Sequence, residues 1–204
     1  MHSTLNDPQS SLIPVGKAKS LQVVETALSG VTIIQPPQFG DHRGFFSETY
    51  NATKLAEQGI DLRFVQDNQS LSRSAGVLRG LHYQVDPDPQ DKLVRVLRGR
   101  ILDVAVDIRR SSPTFGQHVS VELSADNWRQ LLVPAGFAHG FVTLEPDTEV
   151  FYKVTGVYNP QAERGIAFDD PALGIDWQFD HDQLTLSDRD RQHPTLADQP
   201  DLFD

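Results

Sequence analysis

The chain has 204 residues, of which 38% are hydrophobic, so it is long enough for one well-buried domain. A formal net charge of -10 repels phosphates and argues against a nucleic acid partner. The absence of cysteine excludes disulfides, thiolate catalysis and zinc-finger ligation. The N-terminus lacks the continuous apolar stretch of a signal peptide and no run reaches membrane-spanning length, so we expect a cytoplasmic protein without a membrane partner.

The sequence divides into an arm, a domain and a tail. Residues 1–20 are rich in serine, proline and polar side chains with little periodicity, which predicts a flexible N-terminal arm. Residues 21–195 are expected to form a single folded domain. Residues 196–204 are acidic and contain proline, which predicts a loosely held C-terminal tail.

Short apolar or alternating runs separated by glycine and proline dominate the domain. They span residues 31–34, 77–81, 93–97, 101–108, 119–123, 131–133, 141–144 and 150–157. Such regular spacing is typical of an antiparallel β-sandwich or barrel. We therefore predict an all-β fold with a few short helices.

Two local elements are predicted more sharply. A helix is expected over residues 52–58, because Asn51 can cap its start and Gly59 can end it. Further along, two strongly alternating runs flank Arg98 and Gly99, a spacing that predicts a β-hairpin.

Several polar motifs interrupt these apolar runs. They are DHRGFFSETY at 41–50, FVQDN at 64–68, GVLRGLHYQ at 76–84, QDKLVRV at 90–96, PAGFAHGF at 134–141, FYKVT at 151–155 and LSDRD at 186–190. Together, and in this order, they resemble the dTDP-4-dehydrorhamnose 3,5-epimerase family. The resemblance covers about residues 21–195.

The resemblance implies a fold, a reaction and an assembly. The fold would be a cupin-type jelly roll. The reaction would convert dTDP-4-dehydro-6-deoxy-D-glucose to dTDP-4-dehydro-L-rhamnose by epimerisation at C3 and C5, without a metal or an organic cofactor. Members of the family are homodimers that exchange N-terminal strands, so the same assembly is expected here.

Epimerisation beside a ketone needs a base, a donor to the enolate oxygen and an acid on the opposite face. His82 is the best candidate for the base, because imidazole titrates near neutrality. By resemblance, Asp190 supports it, and Lys92 assisted by His139 would face the C4 oxygen. Strand alternation turns Tyr152 inward, where family members use the phenol as the acid.

Each of these residues also has a structural interpretation. A hydrogen-bonded histidine in a core, a buried tyrosine or a lysine at a strand end is common without any catalytic role. Asp188 competes with Asp190 as the carboxylate partner. A regular strand would also send Arg79 and His82 to opposite faces, unless Gly80 introduces a bulge or kink.

The sequence has no glycine-rich phosphate loop, so arginine forks are the expected ligands of the pyrophosphate. Family positions that bind the nucleotide-sugar correspond to Arg43, Glu48, Gln66, Asp67, Asn68, Arg79, Glu163 and Arg189. Phe46 and Tyr158 are candidates to stack on the base, although aromatic side chains also fill β cores. The Arg43 loop is expected to serve the neighbouring subunit's site.

Three other functions compete. Relatives that epimerise a single carbon of a related dTDP-4-keto-deoxysugar share similar motifs. A metal-dependent cupin oxygenase would need clustered histidines and a carboxylate, yet Tyr83 and Gln84 follow His82 where a second histidine would be expected. A noncatalytic sugar-binding jelly roll would not need the lysine, tyrosine and histidines together.

Overall fold

The structure is a computed structural model and describes residues 18–204. Its strands are β1 (Gln22–Glu25), β2 (Thr32–Gln35), β3 (Phe39–Asp41), β4 (Gly44–Phe46), β5 (Gln66–Ser72), β6 (Leu78–Gln84), β7 (Lys92–Arg98), β8 (Arg100–Asp107), β9 (His118–Ser124), β10 (Gln130–Val133), β11 (Phe137–Thr143), β12 (Thr148–Val154) and β13 (Glu163–Gly165). The described helices are α1 (Ala52–Ala56) and two 3-10 turns at His181–Gln183 and Asp190–Gln192. The expected arm lies mostly outside the described residues. No helix within residues 18–204 is long and apolar enough to cross a membrane.

Two antiparallel sheets form a sandwich. The first has six strands in the order β1-β2-β10-β7-β12-β5, and the second has five in the order β13-β6-β11-β8-β9. A hydrophobic core lies between them and takes Val94 and Val150 from the first sheet and Ile101 and Phe137 from the second. Burying each such side chain contributes about 1.5–3 kcal/mol. The predicted all-β antiparallel sandwich is confirmed.

The predicted hairpin around Arg98 and Gly99 is wrong. Strand β7 pairs with β10 and β12 in the six-stranded sheet, whereas β8 pairs with β9 and β11 in the other sheet. Gly99 makes this abrupt change of sheet with φ +77, and its Cα lies so close to Thr148 that a Cβ would clash. Both strands alternate, but alternation shows that a strand is half-buried and does not identify its neighbour.

The predicted helix is confirmed, although it is shorter than expected. Helix α1 ends at Ala56, and Asn51 caps its start by accepting a hydrogen bond from the Lys54 amide at 3.1 Å. The following turn continues to Gly59, whose amide donates to the Ala56 carbonyl. Leu55 anchors the helix against Ile34 and Leu132 of the six-stranded sheet.

The segment after β13 folds back over the outer face of the five-stranded sheet. Leu173, Trp177, Leu184 and Leu196 pack there in a second hydrophobic cluster. This packing places the end of the chain beside β6, so it brings the LSDRD motif to the edge of the cavity described below.

The C-terminal residues 196–204 are held, contrary to the prediction of a loose tail. Gln199 is buried and donates to the Gly165 carbonyl at 2.8 Å, and Asp201 pairs with Arg164 at 2.6 Å. The Tyr83 hydroxyl also donates to the Asp201 carbonyl. Acidic composition favours solvent in isolation, but these specific partners in the fold outweigh it.

Candidate active site

A cavity opens at one end of the sandwich, where strands of both sheets contribute side chains. It has two adjoining lobes of about 290 Å³ each. Both lobes are lined by His82, Lys92, Tyr152 and Glu163. Four polar residues from four different strands therefore face one space, which is how polar groups converge in ligand sites.

Gly80 resolves the conflict between Arg79 and His82. Arg79 pairs with Phe141 and His82 pairs with His139, so the register of β6 against β11 shifts between them. Gly80 has φ +129, and a Cβ there would lie 2.5 Å from the Gly140 Cα. Only glycine permits this close approach, and the predicted irregularity brings Arg79 and His82 to the same lobe.

His82 and Asp190 form a hydrogen-bonded pair. The imidazole Nε2 lies 2.5 Å from the carboxylate Oδ1, and the amide of Asp190 is held by the Ser187 hydroxyl. Burial raises the pKa of Asp190, but contacts with His193 and His82 outweigh it and hold the pKa below its ordinary value. Asp190 is buried whereas Asp188 is exposed, so Asp190 is the partner of His82.

His139 has a carboxylate partner that the sequence analysis missed. Its Nε2 lies 2.6 Å from the Asp103 Oδ1, and Asp103 is fully buried in β8. The signal was present, because a carboxylate in the middle of an apolar strand is costly unless something pairs with it. This second pair fixes the His139 ring at the cavity wall.

Lys92 begins β7 and is only 9% exposed. Its Nζ donates to the His82 carbonyl at 3.1 Å, so the ammonium sits beside the His82 backbone. Burial lowers the pKa of Lys92 to about 8, while the charges of Asp103 and Glu163 oppose the shift. The side chain is therefore mostly protonated at neutral pH, although its charged form is less favoured than that of a solvent-exposed lysine.

Tyr152 lies on the wall opposite His82, because β12 belongs to the six-stranded sheet and β6 to the five-stranded one. It packs against the core on the same face as Val150 and Val154, while Lys153 points away and pairs with Asp67. Burial raises the pKa of Tyr152, and Arg79 opposes this shift. The phenol is thus protonated and able to donate.

One lobe, called the outer lobe, is lined by Gln66, Asn68 and Tyr158 and carries further predicted residues. Gln66 donates to the Asn68 side chain at 2.8 Å, and both lie on the inward face of β5. Glu163 accepts hydrogen bonds from Tyr158 at 2.6 Å and from Arg189. Burial raises the pKa of Glu163, but these two donors outweigh it and keep the carboxylate charged.

Four predicted binding residues do not line the cavity of their own chain. Arg43 and Phe46 lie on the exposed β3–β4 hairpin, where the Arg43 guanidinium pairs with Asp41 at 2.5 Å. Glu48 pairs with Lys54 at 2.7 Å, and Asp67 faces away from Gln66 and Asn68. The cavity also contains Ser70, Phe141 and Ser187, which the sequence analysis did not select.

Inversion at a carbon atom requires proton-transfer groups on two sides of the substrate, and this cavity holds polar groups between the two sheets of a β-sandwich. That combination fits an isomerase that inverts a carbon centre. A family model described as dTDP-4-dehydrorhamnose 3,5-epimerase matches residues 25–198. The chain belongs to this family. It is an isomerase with a cupin-type jelly roll, and its reaction is 3,5-epimerisation.

Individual relatives cover nearly the whole domain. A dTDP-4-dehydrorhamnose 3,5-epimerase from Salmonella typhimurium is 52% identical over 176 residues, which are 85% of this chain and 94% of that protein. A solved 3,5-epimerase from Legionella pneumophila in complex with dTDP-4-keto-L-rhamnose has a TM-score of 0.83 at 48% identity, covering 87% of this chain and 93% of that chain. A 3'-monoepimerase from Streptomyces bikiniensis in complex with dTDP-quinovose has a TM-score of 0.77 at 35% identity, covering 84% and 86%.

Proposed function

We propose that this chain epimerises dTDP-4-dehydro-6-deoxy-D-glucose at C3 and C5, with His82 as the base and Tyr152 as the acid. The observation that carries the proposal is the placement of these two groups on opposite walls of one cavity. Inversion requires a proton to leave from one face and return to the other. Asp190 orients the imidazole of His82 and stabilises its protonated form.

Each epimerisation is a redox-neutral exchange of one proton. His82 removes the proton next to the C4 ketone, and the C–H electron pair moves into an enolate whose oxygen carries the negative charge. Lys92 donates to that oxygen, and His139 assists at the same end of the cavity. Tyr152 then protonates the carbon from the opposite face, and solvent restores the phenol and removes the proton from His82. Water or a second group serves as the acid at the other carbon.

The nucleoside is proposed to lie over the outer lobe and the pyrophosphate beside the other lobe. Arg79 and Arg189 meet the pyrophosphate charge, and Arg189 is positioned by Glu163. Gln66, Asn68 and Tyr158 surround the base. A dTDP-4-keto-6-deoxyhexose therefore spans both lobes, with its sugar between His82 and Tyr152.

We propose a homodimer with exchanged N-terminal strands to account for the residues outside the cavity. The β3–β4 hairpin exposes Phe39, Phe45 and Phe46, and Phe46 is 70% exposed. An apolar hairpin of this kind favours a partner surface. In the dimer, Arg43, Phe46, Glu48 and Asp67 would contribute to nucleotide binding, with Arg43 and Phe46 reaching the neighbouring subunit's site.

Isotope exchange tests the reaction. The substrate is incubated with enzyme in deuterium oxide, and the product is reduced and analysed by NMR and mass spectrometry. The proposal predicts deuterium at both C3 and C5 and an L-sugar after reduction. His82→Ala should abolish exchange while circular dichroism and dTDP binding stay unchanged. Exchange that survives in His82→Ala would overturn the assignment of the base.

The second candidate is epimerisation of a single carbon, which the similarity to the 3'-monoepimerase favours. That relative has also been solved as a double mutant in which a histidine is changed to asparagine and a tyrosine to phenylalanine. Those two positions have the same separation along the chain as His82 and Tyr152, which supports equivalent roles. Deuterium at only one carbon would identify this chain as a single-centre epimerase.

A further inference from the structure

His193 is a buried imidazole that the proposed reaction does not use. Its side chain is only 10% exposed, and the ring packs closely against the backbone of Gly165 in β13. Its Nε2 is buried and has no hydrogen-bond partner among residues 18–204. Buried polar groups are rarely left without a partner, so this nitrogen is available to a ligand.

This nitrogen faces the carboxylate of the catalytic pair and helps to hold the pKa of Asp190 below its ordinary value. His193 Nε2 lies 3.6 Å from the Asp190 Oδ1, the same oxygen that contacts His82 Nε2 at 2.5 Å. The two imidazole rings are 5.6 Å apart and nearly perpendicular, at 80°. The three ligand atoms all lie within 4.8 Å of one another. Two nitrogens and one carboxylate oxygen thus lie close enough together to be considered as ligands of one ion.

This donor set suits a divalent transition ion. Zinc binds imidazole at about 2.0–2.1 Å, which in a tetrahedral site separates the ligand atoms by about 3.3 Å. The 3.6 Å contact already matches that spacing, and the 2.5 Å contact must open by about 1 Å. His82 borders the cavity, so the fourth position would be reached by water.

We propose that His82, Asp190 and His193 form a zinc site that switches the enzyme off. A zinc ion bound to His82 Nε2 leaves the ring proton on Nδ1, so the imidazole can no longer accept a proton from the substrate and metal binding and catalysis exclude each other. The nearby charges of Lys92, Arg79 and Arg189 weaken the site, whereas Glu163 favours it. The inhibition rests on the proposed role of His82 as the base, but the zinc site itself does not.

Zinc binding and activity are measured separately on the full-length protein. Wild-type enzyme is freed of metal with a chelator, and zinc binding is followed by titration calorimetry. Turnover is measured at the same buffered zinc concentrations. We expect one zinc ion per chain, inhibition that follows occupancy and full recovery on chelation.

His193→Ala is the decisive variant, with His193→Gln as a second in case the alanine variant folds poorly. Both should bind zinc at least about tenfold more weakly and resist inhibition, with the turnover of each variant compared with its own metal-free rate. His181→Ala replaces an exposed histidine and is the matched control, with unchanged zinc binding. Equal zinc affinity in wild-type and both His193 variants would overturn the site.

The two proposals fail in different ways. Zinc binding that requires His193 but leaves turnover unchanged supports the metal site and contradicts His82 as the base. Inhibition of wild-type and His193 variants at the same zinc concentration overturns the metal site and leaves the reaction untouched. Loss of zinc binding in His82→Asn supports the assignment of His82 as a zinc ligand.

Discussion

Replacing Lys92 with methionine is expected to change activity and stability in opposite directions. The ammonium is proposed to donate to the enolate oxygen, and removing one preorganised donor of this kind costs about 2.7–4 kcal/mol of transition-state stabilisation. Lys92→Met should therefore lower kcat by about 100- to 1,000-fold. Methionine has a similar length and is apolar, so it fills the buried space without a charge.

The gain in stability follows from the cost of burying the charge. Burial lowers the pKa of Lys92 from 10.5 to about 8, and each pKa unit corresponds to about 1.4 kcal/mol, so the cost is about 3 kcal/mol at neutral pH. The variant also loses the hydrogen bond to the His82 carbonyl, which lowers the free energy of unfolding by about 1 kcal/mol. The free energy of unfolding should rise by about 2 kcal/mol.

The pH dependence gives the sign of each effect. The folded-state pKa lies below the unfolded-state value, so the cost is complete below pH 8 and disappears as the pH rises from about 8 to 10.5. The stability advantage of Lys92→Met should disappear over the same interval. In wild-type enzyme, kcat/KM should fall above about pH 8 as the ammonium loses its proton, and this limb should be absent from the residual activity of the variant.

Urea unfolding at several pH values and pH–rate profiles, both measured with a chelator present, test these expectations. Lys19→Met replaces an exposed lysine and is the control, with unchanged activity and stability. Retention of a tenth of the wild-type kcat would contradict the oxyanion role. A variant that is less stable than wild type at neutral pH would refute the argument about charge burial.

Four further outcomes are expected. Tyr152→Phe should keep deuterium exchange but lose inversion at one carbon by NMR, and joint loss of both would contradict the acid role. Asp103→Asn should move the basic limb of the pH–rate profile to lower pH, because the Asp103 charge raises the pKa of Lys92; an unmoved limb would refute that coupling. Arg43→Ala should raise KM, and mixing it with inactive His82→Ala should restore a normal KM in hybrid dimers; no restoration would contradict exchange between subunits. A chelator should not lower the rate, and a loss restored by a divalent ion would favour a metal-dependent enzyme.

The sandwich and much of the cavity can be predicted from the sequence, because apolar runs and polar motifs are patterns of residues that are close together along the chain. Arg79 and His82 are an example, because the glycine between them is enough to predict the irregularity that the strand shows. His82, Lys92, His139, Tyr152 and Asp190 do meet in one cavity. Their catalytic roles stay predictions until the variants above are measured.

Other features depend on pairing between distant strands, which no local pattern encodes. Alternation on both sides of Gly99 fits a hairpin and a change of sheet equally well, and packing of the whole sandwich decides between them. Asp103 gains its importance only from His139, which lies 36 residues later on β11. The acidic tail is likewise fixed by partners on β6 and β13 that composition cannot reveal.

The return of the C-terminal segment over the five-stranded sheet has a consequence for synthesis of the protein. Asp190 lies 108 residues after His82, beyond the last strand of either sheet. At about 5–20 residues per second, the ribosome adds it about 5–20 s after the histidine. The histidine lacks its carboxylate throughout that interval, and the outer face of the sheet, which is complete only at Gly165, lacks its cover near the end of it. The apolar sheet face of a nascent chain is therefore exposed to other chains before the enzyme can be active. Docking of the C-terminal segment covers that face and supplies the carboxylate in one step.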